Sequence, residues 1–233
     1  MEQRRDSATA YIILADGFET IEALTPLDVL RRCGVEVTTI SLNKTRAVRS
    51  SHCVTVEADA TMEGYMLKRS NAGSSTTAGS TSNAGTSSSA GSSNGSTNTT
   101  SASSSSTTAS GTVRQALILP GGYPGYKNLC DSPEVGALIT QFHKEGKLLC
   151  AICGAPTALK ANQICRGAAI TCHTSVKEEL SDYYSILSSA VVKYMNIITG
   201  MGAGRSLEFA FAIAEALTSK EKVEEIKAKM EII

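Results

Sequence analysis

The residues best placed to do chemistry in this chain surround one thiol. In Lys147-Leu-Leu-Cys-Ala-Ile-Cys-Gly-Ala-Pro-Thr-Ala-Leu159 an apolar run ends at Cys153, Gly154 follows, and Pro156 opens an alanine-rich stretch. This order predicts a strand, a tight turn and a helix, with a cysteine at the corner. A side chain at such a corner is lifted clear of a sheet, and N–H groups at the start of the next helix favour negative charge beside it. The chemistry would be nucleophilic: a thiolate adds to an electrophilic carbon, and the N–H groups hold the oxyanion that results. The alternative for the same pattern is a cysteine that only packs. The familiar elbow has glycine two residues before and after its nucleophile; here Ala151 and Ala155 stand there.

Cys150-Ala-Ile-Cys153 also has the spacing of a redox pair. Within an extended strand, however, residues i and i+3 are roughly 10 Å apart and point to opposite faces, too far for a disulfide. Cys150 is therefore expected in the core.

The elements that must position the thiol can be read from apolar runs and turn residues. Strands are predicted at Ala10–Ala15, Val35–Leu42, Val54–Ala58, Gln115–Leu119, Lys147–Ile152, Ala168–Cys172, Ala190–Tyr194 and Met195–Thr199. Helices are predicted at Ile21–Cys33, kinked or restarted at Pro26, and at Pro133–Glu145, Pro156–Ala161, Ser206–Leu217 and Lys220–Met230. Apolar strands alternating with helices predict an α/β domain: a mostly parallel sheet, helices on both faces, and ligand sites beyond the strands' carboxyl ends. Asp16, Glu19 and Glu22 follow the first strand, Gly121-Gly122 another, and Cys153 and His173 end two more. A thiol, a histidine, a carboxylate and a glycine turn would then line one cleft. Each has a plainer reading: Glu22 as a helix-dipole partner, His173 as a structural residue, and Gly200-Met-Gly-Ala-Gly204 as a turn rather than a dinucleotide loop.

Composition bounds the rest. From Ser70 to Thr112 the chain holds only Ser, Thr, Gly, Asn and Ala, 43 residues without a charge or a large apolar side chain. Such a segment cannot offset its ordering entropy, so disorder is expected over 70–112 inside one domain spanning 1–233. Basic and acidic residues balance at 22 each, which gives no support to nucleic-acid binding. No apolar run reaches membrane-spanning length, and the first ten residues lack a secretory signal's apolar region. Seven scattered cysteines fit reduced thiols in the cytoplasm better than a disulfide scaffold.

These residues resemble the ThiJ/PfpI superfamily, on its DJ-one branch of deglycases and glyoxalases. The resemblance covers Tyr11 to about Met66 and Val113 to about Ile226. It is carried by Leu14-Ala-Asp-Gly-Phe-Glu-Thr-Ile-Glu22, Leu119-Pro-Gly-Gly122, Ala151-Ile-Cys-Gly-Ala-Pro156, Thr171-Cys-His173 and Gly204-Arg-Ser-Leu-Glu-Phe209. It implies a flavodoxin-like fold, a homodimer and no metal or organic cofactor. It also implies Cys153 as nucleophile and redox-sensitive thiol, Glu22 as the carboxylate touching it, and His173 as a nearby proton carrier. Gly121, Gly122 and Gly154 would serve as the oxyanion and substrate-binding turn. Because an ionised carboxylate raises a neighbouring thiol's pKa, Glu22 is expected to be protonated and to donate to a low-pKa thiolate. The implied activity is glutathione-independent conversion of α-oxoaldehydes such as methylglyoxal, or removal of early glycation adducts. An oxidative-stress sensor and chaperone is the other implied role. Peptidase activity, found elsewhere in the superfamily, uses a histidine directly after the cysteine, where this chain has Gly154. His52 stands in place of an interface arginine of the branch.

Overall fold

Short apolar segments without polar alternation are stable as strands only when both faces are covered. The computed structural model, which describes residues 8–74 and 114–232, has this arrangement. Its first half contains β1 (Thr9–Leu14), α1 (Thr20–Arg32), β2 (Glu36–Ser41), β3 (Ala47–Arg49), β4 (Thr55–Glu57), β5 (Ala60–Thr61) and α2 (Met62–Ser74). Then come β6 (Gln115–Leu119), α3 (Gly125–Asp131), α4 (Pro133–Lys144), β7 (Leu148–Ile152) and α5 (Pro156–Ala161). The chain continues through β8 (Ala169–Ile170), α6 (Thr174–Ser181), β9 (Ser185–Ile186), β10 (Val191–Tyr194), β11 (Ile197–Gly200), α7 (Ser206–Leu217) and α8 (Lys220–Lys229).

Seven strands form the central sheet in the order β10-β11-β7-β6-β1-β2-β5. All neighbours run parallel except β10, which folds back antiparallel on β11. Alternate residues along each strand feed two cores. Ile12, Leu14, Ile118, Cys150 and Ile152 pack with Leu30 of α1 and Phe209 and Ile213 of α7. Ile13, Leu117, Leu119, Leu149 and Ala151 pack with Leu138 and Phe142 of α4 and Leu159 of α5. Full burial of side chains of this size stabilises by about 1.5–3 kcal/mol each. Two packed faces around one parallel sheet make the fold flavodoxin-like, and Cys150 is the fully buried core residue expected of it.

The structure departs from the sequence reading at several points. Helix α1 runs unbroken through Pro26, without the expected restart; Pro26 is buried and the helix lies along α7, so packing offsets the missing hydrogen bond. Strand β8 does not join the central sheet but pairs with β9 in a separate ribbon. Helix α2 includes Ser70–Ser74, the first five residues of the segment expected to be disordered. The remainder of that expectation, 75–112, falls outside the described residues.

Candidate active site

The three adjacent parallel strands β1, β6 and β7 end side by side, and the loops after them build the site. After β7 the chain turns at Cys153, whose φ is +66°. A non-glycine residue in the left-handed region costs about 1–2 kcal/mol. Hydrogen bonds on both sides hold it there: Cys153 N–H donates to Gly200 O at 3.0 Å, and Cys153 O accepts from His173 N–H at 2.9 Å. The half-buried thiol lies beside the backbone N–H groups of Gly122 and Gly154, which favour its charged form. The first N–H groups of α5 are not part of this cradle. Those of Thr157 and Ala158 bond Gly154 O and Ala155 O, so they brace the turn instead.

Glu22 lies in the first turn of α1 and is completely buried. Its Oε2 accepts from Gly121 N–H at 2.9 Å, and Gly121 O accepts from Glu19 N–H at 2.9 Å. These two bonds clip the start of α1 to the glycine turn after β6. Gly121 therefore spends its N–H on the carboxyl and does not belong to an oxyanion cradle, which corrects the sequence expectation. It also works by having no side chain: a Cβ there would lie 2.6 Å from Cys153 Cβ and 2.7 Å from Glu22 Oε2. The other carboxyl oxygen, Oε1, is buried with no hydrogen-bond partner among the described residues.

The thiol and this carboxyl titrate as a pair. Burial pushes Glu22 up to about 7, against the hydrogen bonds from Gly121 and Cys153. Burial, and next the Glu22 charge, push Cys153 up to about 12, against the Gly122 and Gly154 N–H groups. The pair thus takes up its second proton near 7 and loses its last near 12, holding one proton between. Read residue by residue, those values leave that proton on sulfur. The surroundings oppose that placement. Two N–H groups serve the sulfur against one for the carboxyl, and the thiol is partly exposed whereas Glu22 is not. An ionised Glu22 would also bury an unsatisfied oxygen, at a penalty of a few kcal/mol. A proton on Oε1 removes that charge from the buried carboxyl. These surroundings favour the shared proton on Glu22 over sulfur.

His173 sits beside the site by its backbone, but its ring is engaged elsewhere. It is the exposed N-cap of α6, with Nδ1 accepting from Ser175 N–H at 3.2 Å and lying 2.8 Å from Ser175 Oγ. No hydrogen bond joins the ring to Cys153 or Glu22 among the described residues. The proton-carrier expectation for His173 thus gains no geometric support. His52 is likewise peripheral and exposed, 3.3 Å from Glu19 Oε2. A groove of about 750 Å³ between Cys130, Thr140, Lys144 and Asn162 does not include the thiol.

One participant had no signal in the sequence. The ring of Tyr126, in α3, lies directly on Gly154. It is one of seven tyrosines, and only the approach of α3 to α5 identifies it.

Comparison with known proteins agrees with this fold. The model of the DJ-1/PfpI family matches residues 8–216. Protein dj-1beta of Drosophila melanogaster is 33% identical over 221 residues, covering 94% of this chain and 95% of that protein. The crystal structure of Drosophila melanogaster DJ-1beta superposes with a TM-score of 0.75 at 30% identity, over 97% of this chain and 99% of that one. The glutathione-independent glyoxalase DJR-1.2 of Caenorhabditis elegans is 39% identical over 107 residues, 46% of this chain and 56% of that protein.

Proposed function

Because the chain belongs to the DJ-1/PfpI family, we propose that it is a cysteine-dependent, glutathione-independent glyoxalase acting on small α-oxoaldehydes, with deglycation of early adducts as the same thiol chemistry on a larger group. The observation that carries this reading is a completely buried carboxyl with one unpartnered oxygen, set against a thiol at a strand–helix elbow.

The Cys153 thiolate attacks the aldehyde carbon of methylglyoxal. A C–S bond forms, the carbonyl π pair moves to oxygen, and the proton held on Glu22 passes to that oxygen, giving a hemithioacetal. Glu22, now a carboxylate in a dry site, removes the proton from the same carbon; the pair forms a carbon–carbon double bond and the neighbouring carbonyl pair moves to oxygen, giving an enediolate. The hydroxyl proton of the first carbon passes to that oxygen, and Glu22 returns its proton to the second carbon, producing a lactoyl thioester. Water then cleaves the thioester, releasing lactate and restoring the thiol–carboxyl pair; one water is consumed overall and no electrons are exchanged with another molecule. The Gly122 and Gly154 N–H groups favour negative charge at the sulfur end throughout.

The direct test gives methylglyoxal to the protein and to Cys153→Ala and follows lactate by NMR. Wild type should form lactate and Cys153→Ala none above the uncatalysed rate. Lactate at equal rates from both would remove the thiol from the chemistry. His173→Ala should change kcat/KM less than about threefold. It should lower stability by about 1 kcal/mol through loss of the α6 cap, and His173→Asn, which can cap, should restore that stability. A larger activity loss shared by both variants would return His173 to the proton chain.

The convergence of two N–H groups on the sulfur itself favours a second role, because the same donors suit a sulfinate. Two equivalents of peroxide would each deliver one oxygen to Cys153 and leave as water. Peroxide oxidation confined to Cys153, with no lactate formed, would favour this sensor role over catalysis. A homodimer is part of the proposal: Ile21 and Val54 are 48% and 44% exposed on α1 and beside β4. Sedimentation of wild type and Ile21→Glu measures it, and unchanged monomers in both would refute it.

A further inference from the structure

Gly154, the residue after the nucleophile, has its side-chain position taken by a tyrosine. A Cβ at 154 would lie 2.6 Å from Tyr126 Cδ1 and 2.8 Å from its Cγ and Cε1. Contact through three consecutive ring atoms means that the ring covers the Gly154 backbone, whose N–H favours the charged sulfur. Tyr126 is tied to the other sulfur donor as well, since its backbone N–H bonds Gly122 O at 2.9 Å. The next residue after Gly122 is Tyr123, 72% exposed, its ring centroid 6.3 Å from that of Tyr126 at a 57° tilt. Lys127 Nζ lies 5.4 Å from the Tyr126 centroid, in cation–π range. Each of the two N–H groups that cradle the sulfur is therefore flanked by a tyrosine, one half-buried and one open to solvent.

We propose that Tyr126, with Tyr123, is the specificity-determining wall of the thiol site and selects α-oxoaldehydes carrying a flat aromatic or large apolar substituent over those carrying a methyl group. The inference rests on the glyoxalase reading for its substrate class, but the wall belongs to the thiol whatever the thiol does. With the sulfur fixed at the elbow, a group bonded to the attacked carbon that extends over Gly154 meets the Tyr126 ring. An offset or edge contact between aromatic rings is worth about 0.5–1.5 kcal/mol beyond area burial, which corresponds to roughly two- to tenfold in kcat/KM.

The test compares kcat/KM for phenylglyoxal and methylglyoxal in wild type, Tyr126→Leu, Tyr126→Phe and Tyr123→Leu. Wild type should favour phenylglyoxal by up to about tenfold. Tyr126→Leu should bring the ratio near one mainly through the phenylglyoxal KM, Tyr126→Phe should keep it, and Tyr123→Leu should lower it in part. A ratio unmoved by Tyr126→Leu, or equal losses on both substrates, overturns the proposal; equal losses would mark Tyr126 as structural. If wild type turns over neither compound, the glyoxalase reading fails by itself. The wall is then measured by the rates at which phenacyl bromide and bromoacetone alkylate Cys153, each divided by its rate with a free thiol. A normalised preference for the phenacyl group that Tyr126→Leu removes sustains the proposal, and one absent from wild type or unchanged in the variant overturns it.

Discussion

Glu22→Gln is expected to lower kcat/KM for methylglyoxal by roughly 10²–10⁴-fold, the usual scale for losing a proton-transfer group, while leaving the Cys153 thiolate in place. The amide keeps an N–H donor where the carboxyl held its proton, and it keeps an oxygen for Gly121 N–H. It cannot take a proton from carbon. Iodoacetamide should therefore alkylate Cys153 of this variant at pH 7–8 about as fast as in wild type, whereas Glu22→Leu, with no donor, should slow alkylation. Slow alkylation in both variants would place the shared proton on sulfur instead. In wild type, kcat/KM should fall as pH drops through about 7, where the pair takes up its second proton.

The same substitution should stabilise the protein, and the sign follows from proton counting. The folded Glu22–Cys153 pair keeps both protons up to about pH 7, whereas in the unfolded chain the Glu22 carboxyl loses its proton near 4.5. Between those values the native state binds more protons than the unfolded state, so stability falls as pH rises across the window. Converted at 1.36 kcal/mol per pH unit, the loss is about 3 kcal/mol at most by pH 8. Glu22→Gln has no such proton to lose. Its melting temperature should exceed that of wild type at pH 8 and approach it at pH 5. Identical melting curves at both pH values would show that Glu22 is not held above its ordinary range. A stability penalty retained at a reactive centre is the expected trade for activity.

What the sequence revealed, and what it hid, divides along the range of the interactions. The corner at Cys153 is legible because its cause is local: an apolar strand cannot pass through Gly154-Ala-Pro156 without turning. The two-sided sheet is legible because unbroken apolar runs need two covers. Glu22 is different. A carboxyl in a first helical turn has a sufficient reason to be there at the surface, and only the distant glycine turn, 99 residues on, makes it a buried acid. Resemblance supplied that contact; periodicity could not. Helix α6 was missed because its buried face is only Val176 and Leu180, too brief a pattern to stand out. The separation of β8 from the central sheet rests on a two-residue pairing. Tyr126 is hidden for the same reason as Glu22, since its meaning depends on the missing Cβ of a glycine 28 residues away.

Gly122→Ala should unfold or nearly unfold the protein, and it tests whether the site's geometry depends on two loops locked backbone to backbone. Gly122 has φ +87°, where alanine is disfavoured by about 1–2 kcal/mol. Space is the greater obstacle. A Cβ there would lie 2.3 Å from Glu19 N, 2.5 Å from Gly17 O and 2.5 Å from Phe18 C. None of these is the movable end of a side chain; all are backbone of the loop that delivers Glu22. Relief requires moving that loop, which would break the Glu19 N–H bond to Gly121 O and the Gly121 N–H bond to Glu22. Overpacking of about 1–3 kcal/mol, backbone strain and two lost hydrogen bonds at about 1 kcal/mol each together reach about 4–7 kcal/mol, a large share of a domain's stability. Gly34→Ala is the control. It also has positive φ, +80°, but a Cβ there meets nothing within 4 Å, so it should lose only the backbone share. Denaturant unfolding of the two variants separates steric locking from glycine's conformational freedom. Equal, small losses would mean that the loop before α1 can shift, and that the Glu22–Cys153 contact is held by something other than this glycine turn.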